Sequence, residues 1–242
     1  HEGGTFITTP EVSENQASVR IRTYVQNQRS ETAEVTLRTV VADADDNVCE
    51  RLNASQRIGA GQIAEFDQSI PKFRKPQLWS PDSPYLYNAY SEVYVGKELV
   101  DTYRSTFGIR SISWDYDLHR LVLNGKVTHL HGINRHEEFP WLGHAFPKWI
   151  AQRDMEDMKF GLDINYMRTA HYPNDPSVYY FMDRHGICIN EELPNIKNQN
   201  FSKEVQEQNC REMIRRDRNH PSIVIWSMGN ETDHACDSRY AA

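Results

Sequence analysis

The sequence is short of cysteine. Its four residues of that type, Cys49, Cys188, Cys210 and Cys236, form no C-x-x-C pair. That spacing argues against a zinc or thioredoxin-type redox motif. Cys188 lies in the apolar run Gly186-Ile187-Cys188-Ile189. Buried unpaired cysteine behaves as a small hydrophobe, so all four are expected to be free thiols. Long apolar runs are missing too: none approaches the roughly 20 residues of a membrane-crossing helix. Positive charge is also scarce, with 27 Lys and Arg against 34 Asp and Glu and a formal net charge of -7. A surface that neutralises phosphates needs the opposite balance. Nucleic acid and membrane are therefore not expected as partners, and a neutral or weakly charged substrate fits better. The first residues, His1-Glu2-Gly3-Gly4, lack the basic and apolar regions of a signal peptide. The start reads as a position inside a longer protein. The compartment stays open: a removed leader favours a periplasmic or secreted protein, and a cytoplasmic one is compatible. No low-complexity segment stands out.

What is present is enough to fold. The 242 residues are 38% hydrophobic and 11% aromatic. That length suits one large domain or two small ones, and the chain carries two kinds of rhythm. From about Thr5 to Arg110 it reads as short strands. Ser18 to Val25 alternates polar and apolar residues, and Glu34 to Val41 repeats the pattern. Asp45-Asp46-Asn47 supplies a turn, and Ile63 to Phe66, Leu86 to Tyr90 and Asp101 to Arg104 continue the series. Pro71, Pro76, Pro81 and Pro84 keep helices out of the middle. About seven strands in about 105 residues predict an immunoglobulin-like β-sandwich, residues 1–112.

From about His119 apolar strands alternate with helices. Strands are expected at Thr128–Asn134, Ile164–Arg168, Ile187–Asn190 and Ile223–Ser227. Helices are expected at Pro147–Phe160, Asp175–Arg184 and Ser202–Arg216, with Gly161, Gly186 and Pro221 as stop signals. Four such β/α units match half of a (β/α)8 TIM barrel, which takes about 250 residues. An open four-stranded parallel sheet has the same pattern. The barrel-like domain is placed at residues 113–242, truncated after its fourth strand.

In a barrel, reacting groups gather at the C-terminal strand ends. Those ends read Asn134-Arg135-His136-Glu137-Glu138, Arg168-Thr169-Ala170-His171-Tyr172-Pro173, Asn190-Glu191-Glu192 and Gly229-Asn230-Glu231. Four polar clusters at four successive ends are hard to explain as core packing. Arg168, at the tail of an apolar strand, needs an anionic partner. Glu231 alone is either a solvated loop carboxylate or a reacting group, and His171 either a satisfied loop histidine or a ligand to substrate. Glu137 and Glu138 are expected to be solvated. Asp217-Arg218-Asn219-His220 precedes the fourth strand, where a structural role is favoured over a metal site. Trp141 either stacks on a ligand or packs its own loop.

At these clusters the sequence resembles glycoside hydrolase family 2, the family of β-galactosidases, β-glucuronidases and β-mannosidases. Two stretches carry the likeness: Asn165-Tyr166-Met167-Arg168-Thr169-Ala170-His171-Tyr172-Pro173 continuing to Asp183-Arg184-His185-Gly186, and Asp217-Arg218-Asn219-His220-Pro221-Ser222 running to Trp226-Ser227-Met228-Gly229-Asn230-Glu231. Leu123-Asn124-Gly125-Lys126, Gly132 to Glu137 and Thr106 to Arg110 support it. The resemblance implies a retaining exo-β-glycosidase, β-galactosidase-like, that hydrolyses terminal β-linked sugars by double displacement. It makes Glu231 the general acid/base and places Asn230 on the sugar 2-hydroxyl. It puts His136 and His171 against the sugar and Arg168 on the nucleophilic carboxylate. That nucleophile belongs to a later strand, so the chain is expected to be a fragment with little or no activity alone. It is also expected to self-associate or to need the C-terminal half of the barrel. The segment Glu192-Leu193-Pro194-Asn195-Ile196-Lys197 lacks the Glu and His of the magnesium site in some β-galactosidases, so neither metal nor cofactor is expected. The alternative is a non-catalytic carbohydrate-binding or scaffold protein derived from such an enzyme.

Overall fold

The computed structural model describes residues 4–197 and 201–232. The chain divides into two compact units, His1–Val127 and Thr128–Ala242. In the first, seven strands form two antiparallel sheets. One has the order β1 (Thr5–Thr8), β2 (Gln16–Gln26), β5 (Ile63–Arg74); the other has the order β4 (Val48–Ile58), β3 (Ala33–Ala42), β6 (Tyr87–Val95), β7 (Glu98–Phe107). Period-two alternation builds the interior. Ala17, Val19 and Ile21 of β2 are buried, while Arg20 between them is exposed. Tyr87 anchors one end of the core, edge-on to Phe73 and stacked on Phe107 at 5.7 Å. Its phenol oxygen accepts a hydrogen bond from the Gln77 amide at 2.9 Å, and burial pushes that hydroxyl up to about 12.

β1 and β4 have no strand of their own in the sequence pattern, and β5 is longer than the pattern indicates. β4 is an edge strand whose exposed face is polar, so its alternation carries little hydrophobic contrast. β5 runs well past Phe66 and contains Pro71. An edge strand tolerates a missing N–H, and the β2–β5 register shifts between Ala17 and Val19, opposite that proline. A small antiparallel sheet follows, β8 (Ile112–Asp115), β9 (Arg120–Leu123) and β10 (Lys126–Thr128). β8 starts where the sequence reading ends the sandwich, and compactness places the division after Val127.

In the second unit β11 (Gly132–Arg135), β12 (Tyr166–Thr169), β13 (Cys188–Glu192) and β14 (Ile223–Ser227) lie in chain order, all parallel. The first of these starts later than expected. Thr128 closes β10, and pairing with β12 begins at Gly132 opposite Tyr166. The helices are α1 (Lys148–Glu156), prolonged by a π-helical turn to Gly161, α2 (Pro176–His185) and α3 (Lys203–Asp217). Asp175 caps α2 by accepting the Ser177 N–H at 2.9 Å, and Gly186 ends it in the left-handed region at φ 66°. Ser202 caps α3 through the Val205 N–H. Met155, Met167, Val178, Met182 and Ile189 fill the space between helices and sheet. Asp183 of α2 ties down the segment ahead of β14, facing His220 Nδ1 at 2.6 Å and accepting the Ser222 N–H at 3.1 Å. The pre-strand cluster is thus structural, as expected. Cys49, Cys188 and Cys210 are in no disulfide, and Cys236 lies outside the described residues.

Gly132 is irreplaceable for a steric reason. A Cβ there would lie 1.6 Å from the Tyr166 carbonyl oxygen. Gly132→Ala must therefore break the β11–β12 pairing. Gly61, at φ 70° with open space around it, should lose only about 1 kcal/mol on the same change. Thermal melts should show the second unit's transition lost or lowered by more than 10 °C in Gly132→Ala, by roughly several kcal/mol. Equal melts for the two variants would refute this account.

Candidate active site

The two faces of β13 separate two carboxylates. Successive side chains on a strand point to opposite sides, so Glu191 and Glu192 part company. Both are fully buried. Glu191 meets the helices. Tyr179 of α2 donates its hydroxyl to Glu191 Oε1 at 2.9 Å, and Arg216 Nη2 of α3 lies 3.8 Å from the same oxygen. Burial, followed by the neighbouring Asp217 carboxyl, pushes Glu191 well up, to about 10. Asp217 is itself gripped by the Arg216 guanidinium at 2.8 and 2.9 Å.

Glu192 faces the other side and is the hub of the site. Arg168 forks onto it, Nε to Oε2 at 2.7 Å and Nη2 to Oε1 at 3.0 Å. His171 Nδ1 lies 2.8 Å from Oε1, the Ser227 hydroxyl donates to Oε2 at 2.9 Å, and the Glu192 N–H donates to Thr169 Oγ1. Because the carboxylate only accepts, His171 Nδ1 must carry the proton here. The 3.3 Å approach of Arg168 Nη2 to that nitrogen is then a contact rather than a hydrogen bond. Arg168 Nη2 also donates to Asn230 Oδ1 at 2.8 Å, which joins the ends of β12, β13 and β14. The anionic partner that Arg168 requires is therefore Glu192. This residue stood among the strand-end groups, but nothing in the sequence marked it as the hub.

The remaining strand-end residues gather around this core. The His136 ring stands edge-on to His171 at 5.0 Å. The peptide bond between Ala170 and His171 is cis. Arg135, 5% exposed, bonds Asp154 and Asn174. Glu137 is not solvated, contrary to expectation. It accepts the Asp175 N–H at 2.9–3.0 Å and lies 3.5 Å from Arg135, fastening the loop after β11 to the start of α2. Glu138 is exposed beside His144. Trp141 is fully exposed at φ 71°, so it does not pack its own loop.

Glu231 follows Asn230 at φ 52° with its side chain 66% exposed, and Lys197 Nζ lies 3.8 Å from it. Its backbone is held from behind. The Asn230 N–H donates to the Asn195 carbonyl at 2.9 Å, and the Lys197 N–H donates to the Asn230 carbonyl at 2.7 Å. Gly229 is required here, since a Cβ would lie 2.5 Å from the Asn195 oxygen. The segment Glu192–Lys197 is thus committed to the fold and to Arg168. Among the described residues no group of three His, Cys, Asp or Glu is placed to hold a metal ion.

The model of the TIM barrel domain of glycosyl hydrolases family 2 matches residues 117–242, and a second model of the same family matches residues 4–110. The chain belongs to glycosyl hydrolases family 2. The architecture is accordingly an immunoglobulin-like β-sandwich followed by the first half of a TIM barrel. A β-galactosidase of Thermoanaerobacter pseudethanolicus is 38% identical over 167 residues, which are 68% of this chain and 22% of that protein. The β-galactosidase BoGH2A of Bacteroides ovatus is 30% identical over 236 residues, 94% of this chain and 27% of its own length. Among solved structures, a Bacteroides uniformis β-glucuronidase superposes with a TM-score of 0.87 at 34% identity, covering 92% of this chain and 27% of that one. A structure of Bacteroides uniformis β-glucuronidase 2, covalently bound to cyclophellitol-6-carboxylate aziridine, gives 0.88 at 32% identity, covering 99% and 29%. The chain spans about a quarter of the length of these relatives.

Two measurements test the two carboxylates. Glu191 has its folded pKa raised above the unfolded value near 4.5, so its contribution to stability is full below about pH 4.5 and is lost as pH rises toward 10. Glu191→Gln should flatten the fall in stability of the second unit between pH 5 and 9, by at most about 1.4 kcal/mol per pH unit. An unchanged slope in denaturant titrations would contradict the burial argument. Glu192→Ala leaves Arg168 without its counter-ion and should destabilise the unit by about 3 kcal/mol. A loss below about 0.5 kcal/mol would show that Glu192 is not the hub.

Proposed function

We propose that this chain carries the acid/base side of a retaining exo-β-glycosidase cleft, β-galactosidase-like, acting on terminal β-linked sugars. One observation carries the reading. Glu231 follows Asn230 at a parallel strand's C-terminal end, and Asn230 is held through Arg168 by the buried Glu192. Rigid support one residue away is what a proton donor needs.

In a double displacement one carboxylate attacks the anomeric carbon while the other protonates the leaving oxygen. The second then takes a proton from water to release the sugar. Glu231 takes the second role. Asn230 meets the 2-hydroxyl, and His136 and His171 line the sugar. With His171 Nδ1–H directed at Glu192, its Nε2 is the nitrogen free for a ligand. Arg168 spends Nε and Nη2 on Glu192 and Asn230, and its Nη1 makes no hydrogen bond among the described residues. Those donors suit a second carboxylate, the nucleophile, which we place outside these 242 residues, about 5–5.5 Å from Glu231. The covalent adduct named for the Bacteroides uniformis enzyme fits such an intermediate. Lacking the nucleophile, the 242 residues would have no turnover alone. The outer edges of β11 and β14, next to no further strand among the described residues, favour association with further barrel strands or a second copy.

The test is hydrolysis of a panel of nitrophenyl β-glycosides, by these 242 residues and by a chain extended through the later barrel strands. The short chain should be inactive. The extended one should be active and should lose about 10²–10⁴-fold in kcat in Glu231→Gln, the range typical of general acid/base groups. An extended chain indifferent to Glu231→Gln would sink the assignment and favour a non-catalytic binding or scaffold role.

A further inference from the structure

The sandwich core is interrupted by a polar layer. Six strands each contribute one inward polar residue between the apolar clusters: Thr5 of β1, Thr23 of β2, Thr39 of β3, Gln68 of β5, Ser91 of β6 and Ser105 of β7. All six are buried. Thr5 lies opposite Thr23 and Thr39 opposite Ser91, while Gln68 and Ser105 sit one same-face step away, opposite Ile21 and Ala89. On either side the same strands are apolar. Ile21, Val41, Ile70, Ala89 and Phe107 form one cluster, and Leu37, Phe66 and Val93 belong to another.

The layer is only partly satisfied. Thr5 and Thr23 share a hydrogen bond at 3.1 Å, and the Thr39 hydroxyl donates to Gln68 Oε1 at 2.6 Å. The Gln68 amide nitrogen and the Ser91 and Ser105 hydroxyls are buried with no partner among the described residues. Native interiors rarely leave such groups unpaired, so each asks for a partner. At the edge of the sandwich the layer meets a cavity of about 700 Å³, lined by Thr5, Thr23 and Ser91 and rimmed by Tyr103. That size is within the usual range for a small-molecule site.

We propose that this cavity is a binding site for a neutral, hydroxyl-rich ligand of monosaccharide size, remote in sequence from the strand-end residues. The chemistry of the layer selects the class. The residues of the layer that line the cavity are Thr5, Thr23 and the unpaired Ser91, whose hydroxyls both donate to and accept from sugar hydroxyls. They carry no charge to match a carboxylate or phosphate. The one lining cation, Arg29, already faces Glu98 at 3.6 Å, and the lining anion Asp101 opposes anions. An apolar ligand would leave the Ser91 hydroxyl as it is, buried and unpaired. Tyr103, half exposed, offers a ring for the apolar face of a pyranose.

The test uses the 242-residue chain, labelled for backbone amide NMR, titrated with galactose, glucose and mannose, with inorganic phosphate as the charged control. The expected result is saturable shifts at Thr23, Ser91 and Tyr103 for at least one sugar and none for phosphate. Ser91→Ala should weaken that binding at least tenfold while melting at or above the wild-type temperature, because an unpaired buried hydroxyl is removed. No saturable shift with any sugar would overturn the proposal and leave the cavity to water. Shifts confined to His171 and Asn230, or binding indifferent to Ser91→Ala, would overturn it as well. Glu231→Gln should leave these shifts unchanged, which separates this site from the glycosidase reading.

Discussion

The buried fork between Arg168 and Glu192 is the constraint on which the candidate site depends. Taking two charges out of water is costly, and their attraction offsets that cost only when geometry is good and remaining lone pairs are used. Here they are used. His171, Ser227 and the Arg168–Asn230 bond complete the shell of Glu192 and its partner. Three strands are thereby joined at their C-terminal ends by side chains as well as by backbone ladders. Each member of the proposed sugar-facing set either touches this shell or adjoins a residue that does.

The outward neighbour Glu191 shows the same strand solving a different problem. Its carboxyl sits among Tyr179, Arg216 and Asp217, where burial favours the protonated form. One acid thus fastens sheet to helices while the next organises the cleft side. The division holds only because the register of β13 is set, and a shift between Ile189 and Asn190 against β14 is part of that setting.

Much of this was legible in the residues. The parallel strands and helices of the second unit follow from apolar runs punctuated by Asp175, Gly186, Ser202 and Pro221, whose capping and stop chemistry is local. The need of Arg168 for an anion followed from its place at the end of an apolar strand. That the anion is Glu192 did not, because adjacent glutamates look alike until register assigns them faces. Glu137 read as solvated because its partner, the Asp175 amide, is a backbone group 38 residues away that no side-chain pattern advertises. β4 was missed because an edge strand with a polar outer face lacks hydrophobic contrast. The polar layer of the sandwich lay in plain sight as Thr23, Thr39 and Ser91, yet only strand pairing sets Thr23 opposite Thr5 and Thr39 opposite Ser91.

The bridge between Asn195–Lys197 and Asn230 has a consequence for anyone wishing to alter this protein. Two loops that follow different strands are stitched backbone to backbone, with a glycine at the seam that no other residue can replace. They form one inheritable part. Grafting the loop after β13 from a relative without the one after β14 would tear that seam and displace Glu231. Loop exchange at this rim therefore succeeds in pairs or not at all.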